Sequence, residues 1–130
     1  MKLPPAMWGS DTGTPVWYAV QTSEWMEHNV AKWLRAMRLF GVYLPTVYER
    51  VIEEIRPKWR RVPMFREYVF LRMGNFERNV APVLRTPGAV ALIGPITEEE
   101  MDVVKWCEFE ANRPGTPTAR PRRGWRKRRT

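Results

Sequence analysis

Apolar positions near the start of the chain predict a strand followed by a helix. The stretch VWYAVQT, Val16 to Thr22, is aromatic and β-branched, which is typical of a strand. A helix should follow, capped at its start by Ser23 and ended by Gly41. The apolar residues of this helix recur on one face, at Met26, Val30, Trp33, Leu34 and Met37.

The middle of the chain combines β-forming and cationic residues. Val42 to Ile55 predicts a strand in which Pro45 marks an edge or a bulge. Arg56 to Arg61 predicts a basic turn, and the chain should then return as a strand whose regular part is Tyr68 to Met73. Together these segments predict a long hairpin with a positively charged tip.

The return strand is apolar on both of its faces. Val69 and Leu71 point to one side, whereas Tyr68 and Phe70 point to the other. A surface strand usually alternates apolar and polar residues, so both faces of this strand need cover.

The second half of the chain predicts a short helix, a strand and a final helix. Asn75 is a good helix cap, and Pro82 keeps that helix short. Ala89 to Ile93 predicts a buried strand, and Thr97 with Glu100 forms the pattern of a capping box. The face of the final helix is formed by Met101, Val104, Cys107 and Ala111.

The element order β-α-β-β-α-β-α predicts an α+β fold, a mostly antiparallel four-stranded sheet with helices packed on it. The length of 130 residues suits one domain. We expect an irregular extension at residues 1–15, the folded domain at 16–112 and a basic, disordered tail at 113–130, because the tail lacks apolar periodicity.

The positive charge is concentrated in that tail. The chain has 22 Lys and Arg against 14 Asp and Glu, and eight of the basic residues but none of the acidic ones follow Asn112. The segment from Met1 to Asn112 is therefore neutral. A neutral body with a cationic arm is typical of a protein whose arm binds nucleic acid or another polyanion, although a solubilising end has the same composition.

Catalytic and metal-binding patterns are missing from the sequence. The only histidine, His28, lies on a predicted helix surface, and the only cysteine, Cys107, lies on an apolar helical face. One histidine and one cysteine are too few for a zinc site. We therefore expect no enzyme activity, no metal and no cofactor. We also expect a cytoplasmic protein, because no apolar run approaches the ~20 residues of a membrane span.

Six blocks of the sequence resemble, in the same order, the N-terminal domain of NusG-like transcription elongation factors. They are WYAVQT, the basic-faced helix, YLPTVYERV, the basic turn, PMFREYVFLRM and VLRTPGAVALIG. The resemblance runs from about Trp17 to Trp106, and VLRTPGAV looks closer to specialised paralogs that control particular operons than to the housekeeping factor. It implies a monomeric transcription elongation or antitermination factor that binds the clamp helices of the largest RNA polymerase subunit.

The resemblance also implies contact residues. Phe65 and Tyr68 match the aromatic residues that meet the clamp helices, and Leu44 and Pro45 should extend that apolar patch, so that polymerase covers the second face of the hairpin. Arg78, Asn79 and Val80 match the residues that meet the far wall of the polymerase cleft. Arg85 lies beside them on a turn, and some members of the family also touch the non-template DNA strand.

Two features of the sequence depart from the family pattern. Family members usually carry Phe-Pro-Gly-Tyr where this chain has Phe65-Arg66-Glu67-Tyr68, and Arg-Glu does not reach a positive φ as cheaply as Pro-Gly. Family members also continue into a small KOW barrel that binds ribosomal protein or Rho. This sequence has RPGTPTARPRRGWRKRRT in the corresponding place and no segment for the barrel.

The cationic residues predict contacts with DNA or nascent RNA at the hairpin tip, beside the far-wall residues and in the tail. Besides Arg85, the predicted nucleic-acid contacts are Arg56, Lys58, Arg60, Arg61, Arg122, Arg123, Trp125, Arg126, Lys127, Arg128 and Arg129. Two alternatives remain open. One is a stand-alone protein that binds single-stranded nucleic acid, and the other is a regulatory protein that binds an acidic partner through its tail.

Overall fold

The computed structural model describes residues 15–39, 41–53 and 56–119, with the backbone alone at 51–53, 56 and 57. The strands in this part of the chain are β1 Val16–Thr22, β2 Gly41–Tyr43, β3 Thr46–Glu53, β4 Arg56–Pro63, β5 Tyr68–Met73 and β6 Ala89–Ile96. The helices are α1 Glu27–Ala36, α2 Phe76–Leu84 and α3 Glu98–Ala111.

Four of these strands form an antiparallel sheet in the order β2-β5-β1-β6. This confirms the predicted α+β fold with a mostly antiparallel four-stranded sheet. The strands β3 and β4 form a separate antiparallel hairpin, with Thr46 opposite Pro63.

The predicted long strand over residues 42–55 is wrong, because the chain breaks at Leu44-Pro45 and changes sheets there. Pro45 has no N–H to donate to a strand ladder. The next donor, the Thr46 N–H, bonds the side chain of Glu108 at 2.7 Å instead of a strand. The predicted basic turn is also wrong, since Arg56–Pro63 is the strand β4.

The two faces of the four-stranded sheet are covered by different helices. One face, which we call the aliphatic face, packs α1 and α2 over a buried cluster: Val20, Val30, Ala31, Leu34, Leu44, Val69, Leu71, Met73 and Val83. The other, the aromatic face, carries the buried cluster Trp17, Ala19, Phe70 and Met101. Met101 and its partly buried neighbour Val104 belong to α3. The expectation that polymerase alone covers the second face of β5 is therefore wrong, because α3 covers much of it.

The start of α1 differs from the prediction, whereas the start of α3 agrees with it. The helix α1 begins at Glu27 and not after Ser23, because Trp25 has a φ of 68°, which does not continue a right-handed helix. At α3 the capping box predicted for Thr97 and Glu100 is confirmed.

The strand β6 lies at the edge of the sheet, and it is not buried as predicted, since Val90 is 57% exposed.

Residues 113–119 are ordered against the domain, in contrast to the predicted disorder from 113 onward. The Thr118 hydroxyl donates to the Ala111 carbonyl at 2.6 Å, and the Thr118 carbonyl accepts from the Tyr48 N–H at 2.9 Å. Ala119 is buried. The predicted irregular segment up to residue 14 and the basic residues 120–130 lie outside the described residues. Among the helices that the structure describes, none is long and apolar enough to cross a membrane.

Candidate protein-binding surface

The turn between β4 and β5 holds the two aromatic residues that the sequence singled out. Its residue Glu67 has a φ of 69°, in the left-handed region that favours glycine. The Glu67 N–H donates to the Glu27 carboxylate at 2.7 Å, and the Glu67 carbonyl accepts from the Thr22 N–H at 2.8 Å. These bonds hold the Arg-Glu turn in a conformation that a Pro-Gly turn reaches without help.

Glu27 reaches this turn from the first residue of α1 and is itself buried. A buried carboxylate is costly unless it is hydrogen-bonded, and the Glu67 N–H supplies such a bond. The N-terminal end of α1 therefore fixes the backbone that carries Phe65 and Tyr68.

Phe65 and Tyr68 are half-buried on the aromatic face. The Phe65 ring meets the Phe70 ring edge to face, with 6.0 Å between centroids. Each of the two aromatic residues thus keeps part of its ring exposed beside a packed cluster. Aromatic side chains in this position provide apolar area to a partner at low cost in conformational entropy.

Leu44 and Pro45 do not extend that exposed patch. Both side chains are buried, Leu44 in the cluster of the aliphatic face. The prediction that they form part of the contact surface is wrong, because the break between β2 and β3 turns them inward. The structure brings Phe65 and Tyr68 together but separates Leu44 and Pro45 from the surface.

Glu108 of α3 ties this break to the aromatic face. One of its carboxylate oxygens accepts the Tyr43 hydroxyl, and the other accepts the Thr46 N–H. Burial, together with the bond to Glu108 and its negative charge, raises the pKa of Tyr43 well above its ordinary value. The Asn112 amide adds a bond to the Thr46 carbonyl at 3.0 Å. These bonds fix α3 beside β2 and β3.

Sequence reasoning missed a second apolar feature, on the outer face of α3. Val103, Trp106 and Phe109 are exposed, and the rings of Trp106 and Phe109 stack with 5.5 Å between centroids. The signal was present, because apolar residues at i, i+3 and i+6 lie on one side of a helix, away from Met101 and Val104. The outer residues were overlooked because the apolar residues of the buried face already form an amphipathic pattern.

The predicted far-wall residues lie on α2, which covers the aliphatic face. Arg78 is exposed on α2, and Arg85, the C-cap residue that follows this helix, is exposed seven residues later on the same side. Val80 is half-buried, and the Asn79 amide donates to the Gly74 carbonyl at 2.7 Å. The structure therefore places these four residues on the opposite side of the sheet from Phe65.

The basic residues of β4 do not form a purely cationic groove. Arg60 pairs with Glu49 at 2.7 Å, and the Arg61 Nε–H donates to the Thr46 hydroxyl at 3.1 Å. Lys58 is exposed, and the side chain of Arg56 lies outside the described residues. A cleft of about 160 Å³ between this strand and the exposed Trp25 is lined by three arginines and three glutamates, Arg60, Arg61, Arg66, Glu24, Glu27 and Glu49. Because this cleft has equal numbers of positive and negative side chains, it does not favour a stand-alone nucleic-acid-binding module.

The tail residues predicted to bind nucleic acid, from Arg122 to Arg129 and including Trp125, lie outside the described residues. Within residues 15–119, leaving out the gaps, no group of three His, Cys, Asp or Glu side chains is placed to hold a metal ion.

Comparison with protein families gives a match. The family model described as "NusG: Transcription termination factor nusG" matches residues 15–110. A search of curated proteins found no match. The matched range covers the four-stranded sheet, the hairpin and nearly all of the last helix.

Proposed function

The chain belongs to the NusG family of transcription factors, and we propose that it is an elongation or antitermination factor that binds RNA polymerase through the aromatic face. The family generally binds RNA polymerase. The proposed partner is the pair of clamp helices of the largest subunit. The proposed contact is centred on Phe65 and Tyr68.

The observation that carries this proposal is the structured turn that presents the two aromatic residues. Turns without a fixed conformation lose entropy when they bind, and pre-organisation lowers that cost. Here the Glu67 N–H is held by Glu27, and Phe65 packs on Phe70. The chain keeps this conformation without the glycine that would make it easy, which supports a role that requires the shape of the turn.

A second contact is proposed for α2, on the other side of the sheet. Arg78 and the C-cap residue Arg85 offer two exposed cations on one side of this helix. Contact with the far wall of the polymerase cleft or with the non-template strand would let the domain bridge the cleft and favour processive elongation. Reversing both charges, Arg78→Glu with Arg85→Glu, should reduce pause suppression while leaving the domain folded. An unchanged elongation rate would argue against the bridge.

Residues 120–130 are proposed to contact DNA or nascent RNA. They carry seven basic residues and no acidic residue. Phosphate neutralisation by such a segment releases counterions, so the affinity should fall steeply with salt. Trp125 would add stacking on an unpaired base.

The test of the proposed function is the affinity for core RNA polymerase, measured by titration of a labelled chain. Phe65→Ala should weaken binding by roughly 30-fold, which corresponds to ~2 kcal/mol for a central aromatic anchor. Trp33→Ala is the matched control, because Trp33 is also a partly exposed aromatic residue but lies on α1, outside both proposed contacts. Thermal melts of both variants establish that the folded fraction is the same. Equal affinity for the two variants would contradict the proposed contact.

A further inference from the structure

The helix α3 has apolar residues on two opposite faces. The inner face packs Met101 and Val104 on the aromatic face of the sheet. On the outer face, Val103, Trp106 and Phe109 are 60%, 58% and 61% exposed. Three large apolar side chains in a row on one helix usually mark a binding surface, since isolated ones are normal but contiguous patches are not.

The same outer face is acidic. Six of the fourteen residues of α3 are Glu or Asp, and one is Lys. At 100° per residue, Glu99, Asp102 and Glu110 lie between the apolar residues around the helix. Glu110 pairs with Arg113, but Glu99 and Asp102 form no ion pair with any residue that the structure describes. The surface therefore fits a partner that is cationic and brings an apolar side chain.

The chain contains a segment of that chemistry at residues 120–130. It has seven basic residues, no acidic residue and one aromatic residue, Trp125. Long cationic side chains around a central tryptophan complement acidic side chains around Trp106 and Phe109. Charge complementarity of this kind favours the encounter, and the aromatic contact supplies apolar burial.

The described part of the chain ends where this segment can reach the outer face of α3. The Thr118 hydroxyl bonds the carbonyl of Ala111, the last residue of α3. Trp125 is seven residues beyond Thr118 and so reaches up to about 23 Å from it. Trp106 lies five residues before Ala111, or about 7.5 Å along the axis of a helix about 10 Å wide. The reach is ample even if the chain passes around the helix.

We infer that residues 120–130 bind along the outer face of α3, with Trp125 packed against Trp106 and Phe109 and the flanking cations beside Glu99 and Asp102. The cations that face α3 are not free to neutralise phosphates. Docking on α3 and binding of nucleic acid therefore compete. This competition rests on the proposed nucleic-acid contact of the tail, whereas the docking itself does not.

The docking is tested by paramagnetic relaxation in the full chain. A nitroxide is attached to Gly124→Cys in a Cys107→Ser background, since Cys107 is the only native cysteine. At low salt the label should broaden the amide signals of residues 102–110 and leave those of α1 sharp, since α1 covers the opposite face of the sheet. The broadening should fade near 1 M salt, where the screening length falls to about 3 Å.

Surface variants separate this contact from proximity in the chain. Trp106→Ser with Phe109→Ser, and separately Glu99→Lys with Asp102→Lys, should abolish the broadening. Glu77→Lys, an exposed acid on α2, is the matched control and should leave it unchanged. The inference is overturned if the amide signals of residues 102–110 stay sharp in the parent, or if the surface variants show the same broadening as the parent. It is also overturned if the signals of an isotope-labelled chain are broadened only by a second, nitroxide-labelled chain.

The competition is tested separately with a single-stranded oligothymidine. If the docked form is about nine-tenths of the population, freeing the tail by Trp106→Ser with Phe109→Ser raises the apparent affinity about tenfold. The oligonucleotide should also remove the broadening of α3 in the parent chain. If the oligonucleotide binds neither protein, the proposed nucleic-acid contact fails while the relaxation result still decides the docking. If it binds both equally, the competition is overturned.

Discussion

The two faces of the sheet are built from different chemistry. On the aliphatic face, eight of the nine cluster residues are at most 1% exposed, and the ninth, Leu44, is 9% exposed. On the aromatic face the cluster has four residues, three of which are 6–7% exposed, and Phe65 and Tyr68 lie partly buried beside it. Among the described residues, the two buried side-chain nitrogens without a hydrogen-bond partner, Trp17 Nε1 and Arg72 Nε, belong to neighbouring positions of β1 and β5 beside this second cluster.

This difference indicates a division of roles. A close-packed aliphatic core supplies folding free energy, because each buried methylene is removed from water and touches many atoms. Partly exposed aromatic rings held by polar bonds give less stability and more surface for a partner. We therefore expect changes on the aliphatic face to alter stability and changes at the Phe65–Tyr68 turn to alter binding.

The largest expected effect is on the aliphatic face. Leu34 is fully buried, so Leu34→Ala should lower the free energy of unfolding by about 2–5 kcal/mol through lost burial and a residual cavity. Its neighbour Trp33 is 53% exposed, and Trp33→Ala should change that free energy by no more than about 0.5 kcal/mol. Denaturant titration measures both. A loss of polymerase affinity in the folded Leu34→Ala protein would contradict the claim that the aliphatic face serves stability and not binding.

The next effect concerns the bond that joins the two faces. Glu27→Ala leaves the Glu67 N–H without its acceptor and should cost about 1–3 kcal/mol of stability. It should also weaken polymerase binding, because the turn that carries Phe65 loses its support. Glu27→Gln keeps an acceptor oxygen and should lose less stability. Glu24→Ala, at an exposed residue nearby, should lose no measurable stability. Equal stability of the Ala and parent proteins would show that the turn does not depend on this bond.

A smaller effect, of opposite sign, is expected at Glu67. Glu67→Gly removes the cost of a side chain at a φ of 69° and should stabilise the domain by about 1 kcal/mol. Glu67→Ala keeps a Cβ atom in the same conformation and should give no such gain. Thermal denaturation of the two variants distinguishes relief of backbone strain from loss of the glutamate charge.

The smallest effect is confined to alkaline pH. The raised pKa of Tyr43 means that the folded protein holds the phenolic proton more tightly than the unfolded chain does. The resulting stability is fully present below the unfolded pKa of about 10 and is lost as the pH rises above it. Stability should therefore fall more steeply above pH 10 in the parent than in Tyr43→Phe. Parallel stability profiles for the two proteins would contradict this.

Much of the sheet was predictable from the sequence, because strands such as β1 and β5 carry their own β-branched and aromatic signature. The break at Leu44-Pro45 was not, since it depends on Glu108, which lies more than sixty residues away and takes the Thr46 N–H. The start of α1 was missed for a similar reason. Trp25 gives no local sign of a positive φ.

The candidate site was predictable in part. Phe65 and Tyr68 were found from the residues and the family resemblance, but the inward turn of Leu44 and Pro45 follows from tertiary packing that a strand pattern does not contain. The exposed residues of α3 had a pattern of their own, at i, i+3 and i+6. Which of two apolar faces of a helix is buried is decided by the sheet beneath it.

The central claim, that polymerase binds the aromatic face at the Phe65–Tyr68 turn, is tested most directly by hydrogen exchange with and without core RNA polymerase. Binding should slow amide exchange over residues 64–68 and leave exchange in α1 unchanged, since α1 covers the opposite face of the sheet. Slower exchange in α1 with no change at residues 64–68 would contradict that claim.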